Sequence, residues 1–390
     1  MSDSAADQPV SEPVGKAKVR TSALRAYTMV AALVAVWLIF NYATEGTFLT
    51  PRNMSNLMRQ GSVVGILSVG MLMVIVTGHV DLSVGSIVGL TGGIAAISAA
   101  WLGLGTIPAL ALAIAAGVAI GALQGSLVAY ATTPAFIVTL GGLLAWRGVV
   151  RGITQGNTIP VERPEFRAIG DQYVAPTIGW AIAALLVAGV VWTVIRRNAS
   201  RKRLGLAPMT AGAMALGIAV PSVLVVGFVA LMNAYAGIPV PVMILGVIAL
   251  LGALVTQNTV FGRYLYAIGG NPDAARLSGI DIKRQTLVVF SIMGLLGGIA
   301  GVVYTARVGS AAPDAGVLLE LDAIAACVIG GASLVGGRGT VFGALLGALF
   351  MASLDNGMSL NNVSDYIQLI VKGAILVTAV SIDMLNRSRA

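Results

Sequence analysis

The chain has 390 residues, of which 57% are hydrophobic and only 10% are charged, and its formal net charge is +8. This composition is too apolar for a soluble globular domain and is typical of a polytopic membrane protein. The 49 glycines fit helices packed in lipid, because small residues let backbones approach closely. Membrane topology and anionic lipid head groups account for the positive charge, so we expect membrane lipid and no nucleic acid as partners.

Apolar runs that approach the length of a membrane crossing recur along almost the whole chain. A hydrocarbon core about 30 Å thick needs roughly 20 apolar residues per helix. Several runs are short or interrupted by glycine, so we expect an all-α polytopic membrane protein with a bundle of about 10–12 transmembrane helices. The runs lie at residues 27–42, 61–78, 82–102, 107–130, 135–150, 176–195, 211–232, 240–258, 286–304, 321–335, 340–354 and 366–384.

These runs predict one membrane domain, residues 27–386, between a polar tail at residues 1–26 and a short tail at residues 387–390. No cleavage pattern follows the first run, so we expect an uncleaved first helix rather than a signal peptide. Positively charged loops stay on the cytoplasmic side of a membrane. With the basic first tail inside, the basic residues 196–203 also fall inside, and both termini are predicted to be cytoplasmic.

A polar stretch interrupts the apolar pattern at residues 79–86, where two runs meet without a proper loop. A charge in hydrocarbon costs roughly 2.5 kcal/mol or more, so a charged residue here needs a structural or functional reason. Asp81 and Ser83 can cap a helix by accepting bonds from backbone N–H groups. A role of both residues in the substrate pathway or in gating is the alternative.

The longest connection with a helix-forming composition spans residues 259–285. Asn271 can cap a helix, Pro272 suits its first position, and Gly279 can end it. We expect a short cytosolic helix whose two alanines and leucine are available for docking; a loop helix that packs only on its own domain is the alternative. The segment comprises Asn271, Pro272, Asp273, Ala274, Ala275, Arg276, Leu277, Ser278, Gly279 and Ile280.

The last third of the chain holds further polar residues within or beside apolar runs. Asp322 opens a run, where the helix dipole stabilises a carboxylate, and a pathway role is the alternative. Residues 353–358 are interpreted as a polar turn that closes a span, and Asn356 is a pathway or gating candidate. Lys372 lies within the last run and needs an acidic partner or a route to the interface. The sequence names no such partner.

Motifs of soluble enzymes are missing from the sequence. There is no Gly-x4-Gly-Lys-Ser/Thr loop to hold the phosphates of ATP. His79 is the only histidine and Cys327 the only cysteine, so a metal site of these residues and a serine triad are both unexpected. We therefore expect a protein that is not an enzyme and has no catalytic, cofactor-binding or metal-binding residues. Cys327 is expected to be a small core residue.

The stretch Asp273-Ala274-Ala275-x3-Gly279 resembles the Glu-Ala-Ala-x3-Gly coupling motif of the permeases of ATP-binding-cassette (ABC) importers. Together with residues 81–86 and 323–334, residues 266–280 are similar to the ribose/xylose permease branch of that family. The resemblance runs from about residue 50 to the C-terminus, and its three motifs stand in the same order. Within the branch, residues 353–359 and the extra spans around the basic loop favour the xylose permeases. Asp273 replaces the glutamate of the motif with a shorter acid.

The resemblance implies a homodimeric, type II-like ABC importer permease in a bacterial inner membrane. The implied partners are a cytosolic ABC ATPase subunit, a periplasmic sugar-binding protein and a second copy of the chain. ATP and Mg²⁺ would bind to the ATPase, which leaves this chain without a cofactor. The implied function is translocation of a monosaccharide, D-xylose or a similar pentose, by alternating access driven by the separate ATPase subunits.

A neutral sugar needs hydroxyl and amide partners and aromatic faces rather than a charged site. Asn233, Tyr235 and Asn361 are the candidate sugar contacts. An ion-coupled secondary sugar transporter is the alternative function, and it would use Asp81, Asp322 and Lys372 within the membrane. A self-contained transporter has no need of a docking helix, which favours the importer permease.

Overall fold

The structure is a computed structural model that describes residues 14–388, and these residues form fifteen helices and four two-residue strands. The helices are α1 (Val14–Ala43), α2 (Pro51–Val76), α3 (Val84–Ala100), α4 (Thr106–Ala129), α5 (Ala135–Ile153), α6 (Pro164–Asp171), α7 (Pro176–Arg203), α8 (Ala211–Asn233), α9 (Val240–Asn258), α10 (Val260–Gly270), α11 (Pro272–Leu277), α12 (Ile282–Val308), α13 (Leu319–Ile329), α14 (Val341–Leu360) and α15 (Asp365–Ser388). The strands are β1 (Ile159–Pro160), β2 (Tyr173–Val174), β3 (Ile238–Pro239) and β4 (Ser310–Ala311).

Short polar side chains set the start of many helices. A capping side chain accepts a hydrogen bond from the backbone N–H three residues further on, which satisfies a donor that has no partner within the helix. Proline at the first helical position adds to this signal at α2 and α11, because its ring fixes φ near the helical value. The capping residues are Thr50, Thr210, Thr259, Asn271, Asp281 and Thr340.

All twelve predicted apolar runs fall on helices, which confirms the all-α membrane fold. Within the described residues, α2, α4, α5, α7, α8, α9, α12 and α14 are long and apolar enough to cross a membrane. Two shorter apolar helices, Thr28–Ala43 and α3, accompany them. The prediction that residues 321–335 form a full membrane crossing is wrong, because α13 has only 11 residues and is about 16 Å long. Glycines at 330 and 331 follow its last residue.

The predicted tails are covered only in part. Residues 1–13 and 389–390 lie outside the described residues, and α1 begins at Val14, so the first helix extends into the predicted tail.

The centre of the bundle is formed by α2 and α12. In their most apolar stretches 83% and 67% of the residues are buried, against 11% in α7 and 6% in α8. Glycines let α4 lie backbone to backbone on α12, as predicted for small residues in lipid. A Cβ atom on Gly121 would collide with the carbonyl oxygen of Phe290 and come within 3.0 Å of the Cα atom of Gly294.

A small cap covers one end of the bundle. We define the cap as residues 159–174, that is α6 with the flanking strands β1 and β2. The strand β1 pairs antiparallel with β4 at the end of α12, and β2 pairs antiparallel with β3 before α9. We call this end of the bundle the cap face. The 27-residue α12 rises about 40 Å from α11 to β4, so α11 lies at the opposite end, which we call the α11 face.

Candidate functional site

The segment predicted to dock a partner forms α11, a short helix on the α11 face. The Asn271 side chain accepts a hydrogen bond from the N–H of Ala274 at 3.0 Å, and Pro272 occupies the first position. Gly279, with φ of +81°, lies two residues beyond the last helical residue in the left-handed region that glycine adopts without strain. The predicted cap, proline and stop are thus all confirmed.

The exposed surface of α11 differs from the prediction at one residue. Leu277 is 89% exposed, and Asp273, Ala274 and Arg276 are exposed beside it. Ala275 is only 4% exposed, because it faces the interior of its own chain. The expectation that both alanines are available for docking is therefore wrong for Ala275, and Leu277 is the most exposed apolar side chain of the helix.

Glycine backbones hold α11 against the rest of the bundle. Gly269, the next-to-last residue of α10, packs directly on the carbonyl oxygen of Val76, the last residue of α2. The same oxygen accepts a hydrogen bond from the N–H of Gly337 at 2.9 Å. Gly336 and Gly337 have φ of +99° and +72° and lie against Gly269 and its neighbour. We call this contact of α2, α10 and the loop before α14 the glycine junction.

The connection between α2 and α3 contains the first buried acid. Asp81, which is 1% exposed, accepts bonds from the N–H of Ser83 at 2.8 Å and from its hydroxyl at 2.6 Å. Gln124 of α4 donates to the same hydroxyl at 2.9 Å. Asp81 therefore orients the residue that precedes α3, whereas neither side chain caps an N–H of the first turn as predicted. Burial lowers the pKa of nearby His79, which favours its neutral form.

A lysine between two aspartates joins three helices in the bundle. The Nζ atom of Lys372 in α15 lies 3.1 Å from Asp322 of α13 and 2.9 Å from Asp355 of α14. These are the acidic partners that the sequence could not name. The ion pairs keep two carboxylates and an ammonium group from standing unpaired among apolar side chains.

The predicted polar turn at residues 353–358 is wrong, because α14 continues helically to Leu360. Its polar side chains point sideways to neighbouring helices, which removes the need for a turn. Trp37 donates to the hydroxyl of Ser353 at 2.9 Å. Asn356 and Asn53 of α2 exchange two amide hydrogen bonds at 2.8 and 3.1 Å. Asn356 is 6% exposed, and its amide joins two helices in this structure.

The three candidate sugar contacts have separate bonding partners. Asn233 donates to the carbonyl of Pro176 at 3.2 Å, and Tyr235 lies 6.0 Å from the ring of Tyr173 in an edge-on arrangement. Both belong to the cap-face end of α8. Asn361 donates to the carbonyl of Gly357 at 2.8 Å at the end of α14. No hydrogen bond between described residues connects the two places.

An ion pair that the sequence analysis missed ties α2 to the cap. Arg59 of α2 lies 3.2 Å from Asp171, the last residue of α6, and donates to the hydroxyl of Tyr173 at 3.1 Å. The predicted span began at residue 61 and left Arg59 in a loop, whereas α2 begins at Pro51. The sequence Thr50-Pro51, a capping residue followed by a helix-initiating proline, is the signal that marks this start.

Eight long apolar helices, a polar helix exposed at one end and a small cap at the other define a polytopic membrane protein. The permease family described as branched-chain amino acid transport system / permease component matches residues 53–380. The chain belongs to this family of transport permeases.

Curated relatives match the chain over nearly its whole length. The xylose transport system permease protein XylH of Escherichia coli (strain K12) is 46% identical over 94% of this chain and 93% of its own. The protein of the same name from Haemophilus influenzae is 45% identical over 95% of this chain and 99% of its own. The ribose import permease protein RbsC of Escherichia coli (strain K12) is 36% identical over 91% and 92%. No solved structure matches the chain.

Proposed function

We propose that the chain is the transmembrane permease subunit of an ABC importer that carries D-xylose, or a similar pentose, across the bacterial inner membrane. The observation that carries this proposal is the 46% identity with a xylose permease over 94% of the chain. The ribose permease is also related, at 36% identity, which supports the proposal of a pentose as the cargo. A pentose is neutral, and this agrees with the pairing of the buried acids Asp81 and Asp322 to groups within the chain.

The α11 face is proposed to be cytosolic. The basic last turn of α7 lies at this face, as do Arg276 of α11 and Lys283 at the start of α12. Positive residues are retained on the cytoplasmic side of a membrane. This orientation puts α1's first residue and α15's last residue in or near the cytosol, and it turns the cap toward the periplasm.

The cytosolic ATPase is proposed to bind α11. Leu277 offers an exposed apolar side chain close to the charged residues Asp273 and Arg276, which suits insertion into a groove on a partner. Two copies of the chain would present two α11 helices to a pair of ATPase subunits, and ATP with Mg²⁺ would bind only there. Closure of the ATPase pair moves the α11 helices and so switches the permease between outward and inward access. A sugar-binding protein delivers the pentose at the cap face.

The substrate assignment is tested by complementation. A bacterium that lacks its own xylose permease, but keeps the ATPase and binding protein, should regain growth on low xylose when it expresses this chain. The chain is expected to accept only the xylose-binding protein, so a strain that lacks only its ribose permease, and keeps its ribose-binding protein, should not recover growth on ribose. Restored growth on ribose or on a branched-chain amino acid, without growth on xylose, would overturn the proposed cargo.

The docking assignment is tested by a pair of leucine variants. Leu277→Glu should abolish co-purification of the ATPase while the permease stays folded, because a charge replaces the apolar side chain that enters the groove. Leu204→Glu is the matched control: Leu204 is 75% exposed and follows α7 at the same face, but lies outside α11. Equal loss of the ATPase in both variants, or retention in Leu277→Glu, would contradict docking through α11.

A further inference from the structure

The cap and α12 form one rigid unit on the cap face. The strand β1 of the cap pairs with β4, which directly follows α12. Gly170 of α6 also packs against the backbone of Ala306 and Arg307 so closely that a Cβ atom has no room. A displacement of the cap must therefore carry the end of α12 with it.

The cap is joined to α2 in a different way, through side chains. Arg59 of α2 makes an ion pair with Asp171 at 3.2 Å and a hydrogen bond with Tyr173 at 3.1 Å, and its side chain is 19% exposed. Asp171 is shared with Arg167 of α6 at 3.4 Å, so the carboxylate has a second cation within the cap. Arg59 is thus held at two points of the cap, so a displacement of the cap pulls on α2.

The helix α2 carries this contact to the other end of the bundle. From Arg59 to Val76 it rises about 26 Å, at 1.5 Å per residue. Most of its residues are buried, and it packs against α9, α12, α13 and α14. A continuous, packed helix of this length transmits a displacement at one end to the other.

At its far end α2 meets the segment that positions α11. The carbonyl oxygen of Val76 accepts the hydrogen bond from Gly337 and supports Gly269 at the glycine junction. Gly269 is two residues from Asn271, the cap of α11. The backbones touch here without intervening side chains, so little movement is lost between α2 and α11.

We propose that Arg59 is a positioning residue for coupling between the two faces of the permease. Through its contact with Asp171, α2 follows the cap when the sugar-binding protein docks, and the glycine junction passes this movement to α11 and the ATPase. The inference rests on the proposed function, because it assigns the binding protein to the cap face and the ATPase to α11. It adds the route and the residue by which one partner's docking changes the other's activity.

The experiment uses the full permease with its ATPase in nanodiscs. ATP hydrolysis is measured with and without the sugar-loaded binding protein, and the binding protein's affinity is measured separately. In Arg59→Gln and in Asp171→Asn the stimulation by the binding protein should fall by about fivefold or more, the size of a typical coupling between sites. Unstimulated hydrolysis, ATPase association and binding-protein affinity should stay unchanged. The exchanged pair Arg59→Asp with Asp171→Arg should recover part of the stimulation.

Arg163→Gln is the matched control, because Arg163 ties the other end of α6 to the bundle. It donates to the carbonyls of Ala99 and Gly103, at the end of α3, at 3.1 and 2.9 Å. This variant loosens the cap without touching α2 and should keep its stimulation. Should Arg59→Gln not fold, Asp171→Asn breaks the same ion pair from the more exposed side and carries the same prediction.

Three results would overturn the inference. Stimulation of the wild-type size in both Arg59→Gln and Asp171→Asn would show that the ion pair carries no coupling. Equal loss in Arg163→Gln would assign the effect to a loosened cap. Loss of binding-protein affinity in Arg59→Gln would make Arg59 a docking residue instead. A wild-type chain that binds neither ATPase nor binding protein would instead refute the proposed function itself.

Discussion

The helices α2 and α8 show that the apolar character of a helix does not predict its burial in this protein. The helix α8 is the more apolar of the two, yet only 6% of its apolar stretch is buried, against 83% in α2. Valine and leucine at 223 and 224 of α8 are about two-thirds exposed, whereas α2 buries Asn53, Ser62 and Ser68. Lipid tails are as apolar as leucine, so apolar side chains have no reason to turn inward. The interior of α2 therefore holds small residues and polar groups beside large apolar side chains.

The largest effect is expected from a bulky residue at the α4–α12 contact. Gly121→Val places its side chain against backbone atoms of α12, which cannot move aside, so we expect a loss of more than about 3 kcal/mol and little folded protein. Gly227→Val in α8 is the control, because no atom lies within 4 Å of a Cβ there. Size-exclusion profiles and thermal unfolding in detergent measure both. Equal behaviour of the two variants would show that the backbone contact of α4 with α12 is no more sensitive to bulk than the exposed surface of α8.

Truncation of one leucine in α2 and one in α8 tests the comparison of these two helices directly. Leu67→Ala removes a side chain of α2 that is fully buried, and a loss of about 2 kcal/mol or more is expected from the cavity. Leu224→Ala removes a side chain of α8 that is 67% exposed, and a change within about 0.5 kcal/mol is expected. The free energy of unfolding in mixed micelles gives both values. A larger loss for Leu224→Ala would show that α8 is covered by protein.

Removal of Lys372, which lies between two aspartates, should lower the free energy of unfolding by somewhat less than the loss of a fully buried ion pair. Lys372→Met leaves Asp322 and Asp355 without their cation, and because the lysine is 21% exposed we expect about 2 kcal/mol rather than the 3–5 of a fully buried pair. Adding Asp322→Asn and Asp355→Asn to Lys372→Met should restore most of this stability. A triple variant no more stable than Lys372→Met would show that the charges are not the cause.

The smallest effect is expected at the amide pair between α2 and α14. Asn53→Ala leaves the amide of Asn356 buried without its partner, which costs about 1–2 kcal/mol. The double variant with Asn356→Ala should lose little more than the single variant, because no polar group is then left unpaired. Additive losses in this double-mutant cycle would mean that the two amides do not interact.

Local signals made α11 predictable, whereas contacts between distant residues were not. Asn271, Pro272 and Gly279 fix the start and end of α11 within nine residues, so the sequence alone was sufficient. The partners of Lys372 lie 17 and 50 residues away, and the amides of Asn53 and Asn356 are 303 residues apart. No periodicity within one run reports such pairs.

Two of the boundary errors also have physical causes. Residues 353–358 carry polar side chains, which suggested a turn, but each finds a partner on a neighbouring helix and leaves the backbone helical. The start of α2 was placed too late, because Arg59 interrupts the apolar run although its guanidinium pairs with Asp171 in the cap. A charged residue with a distant partner is thus compatible with a membrane helix.

Uptake of labelled xylose into proteoliposomes is the most direct test of the proposed importer function. The vesicles hold this chain with its ATPase, and the sugar-binding protein is added outside. We predict uptake that requires trapped ATP and both partners, and that persists when an ionophore removes all ion gradients. Uptake by the chain alone, if it stops when the ionophore is added, would contradict the proposed importer function. Asp81 and Asp322 would then be candidates for ion coupling.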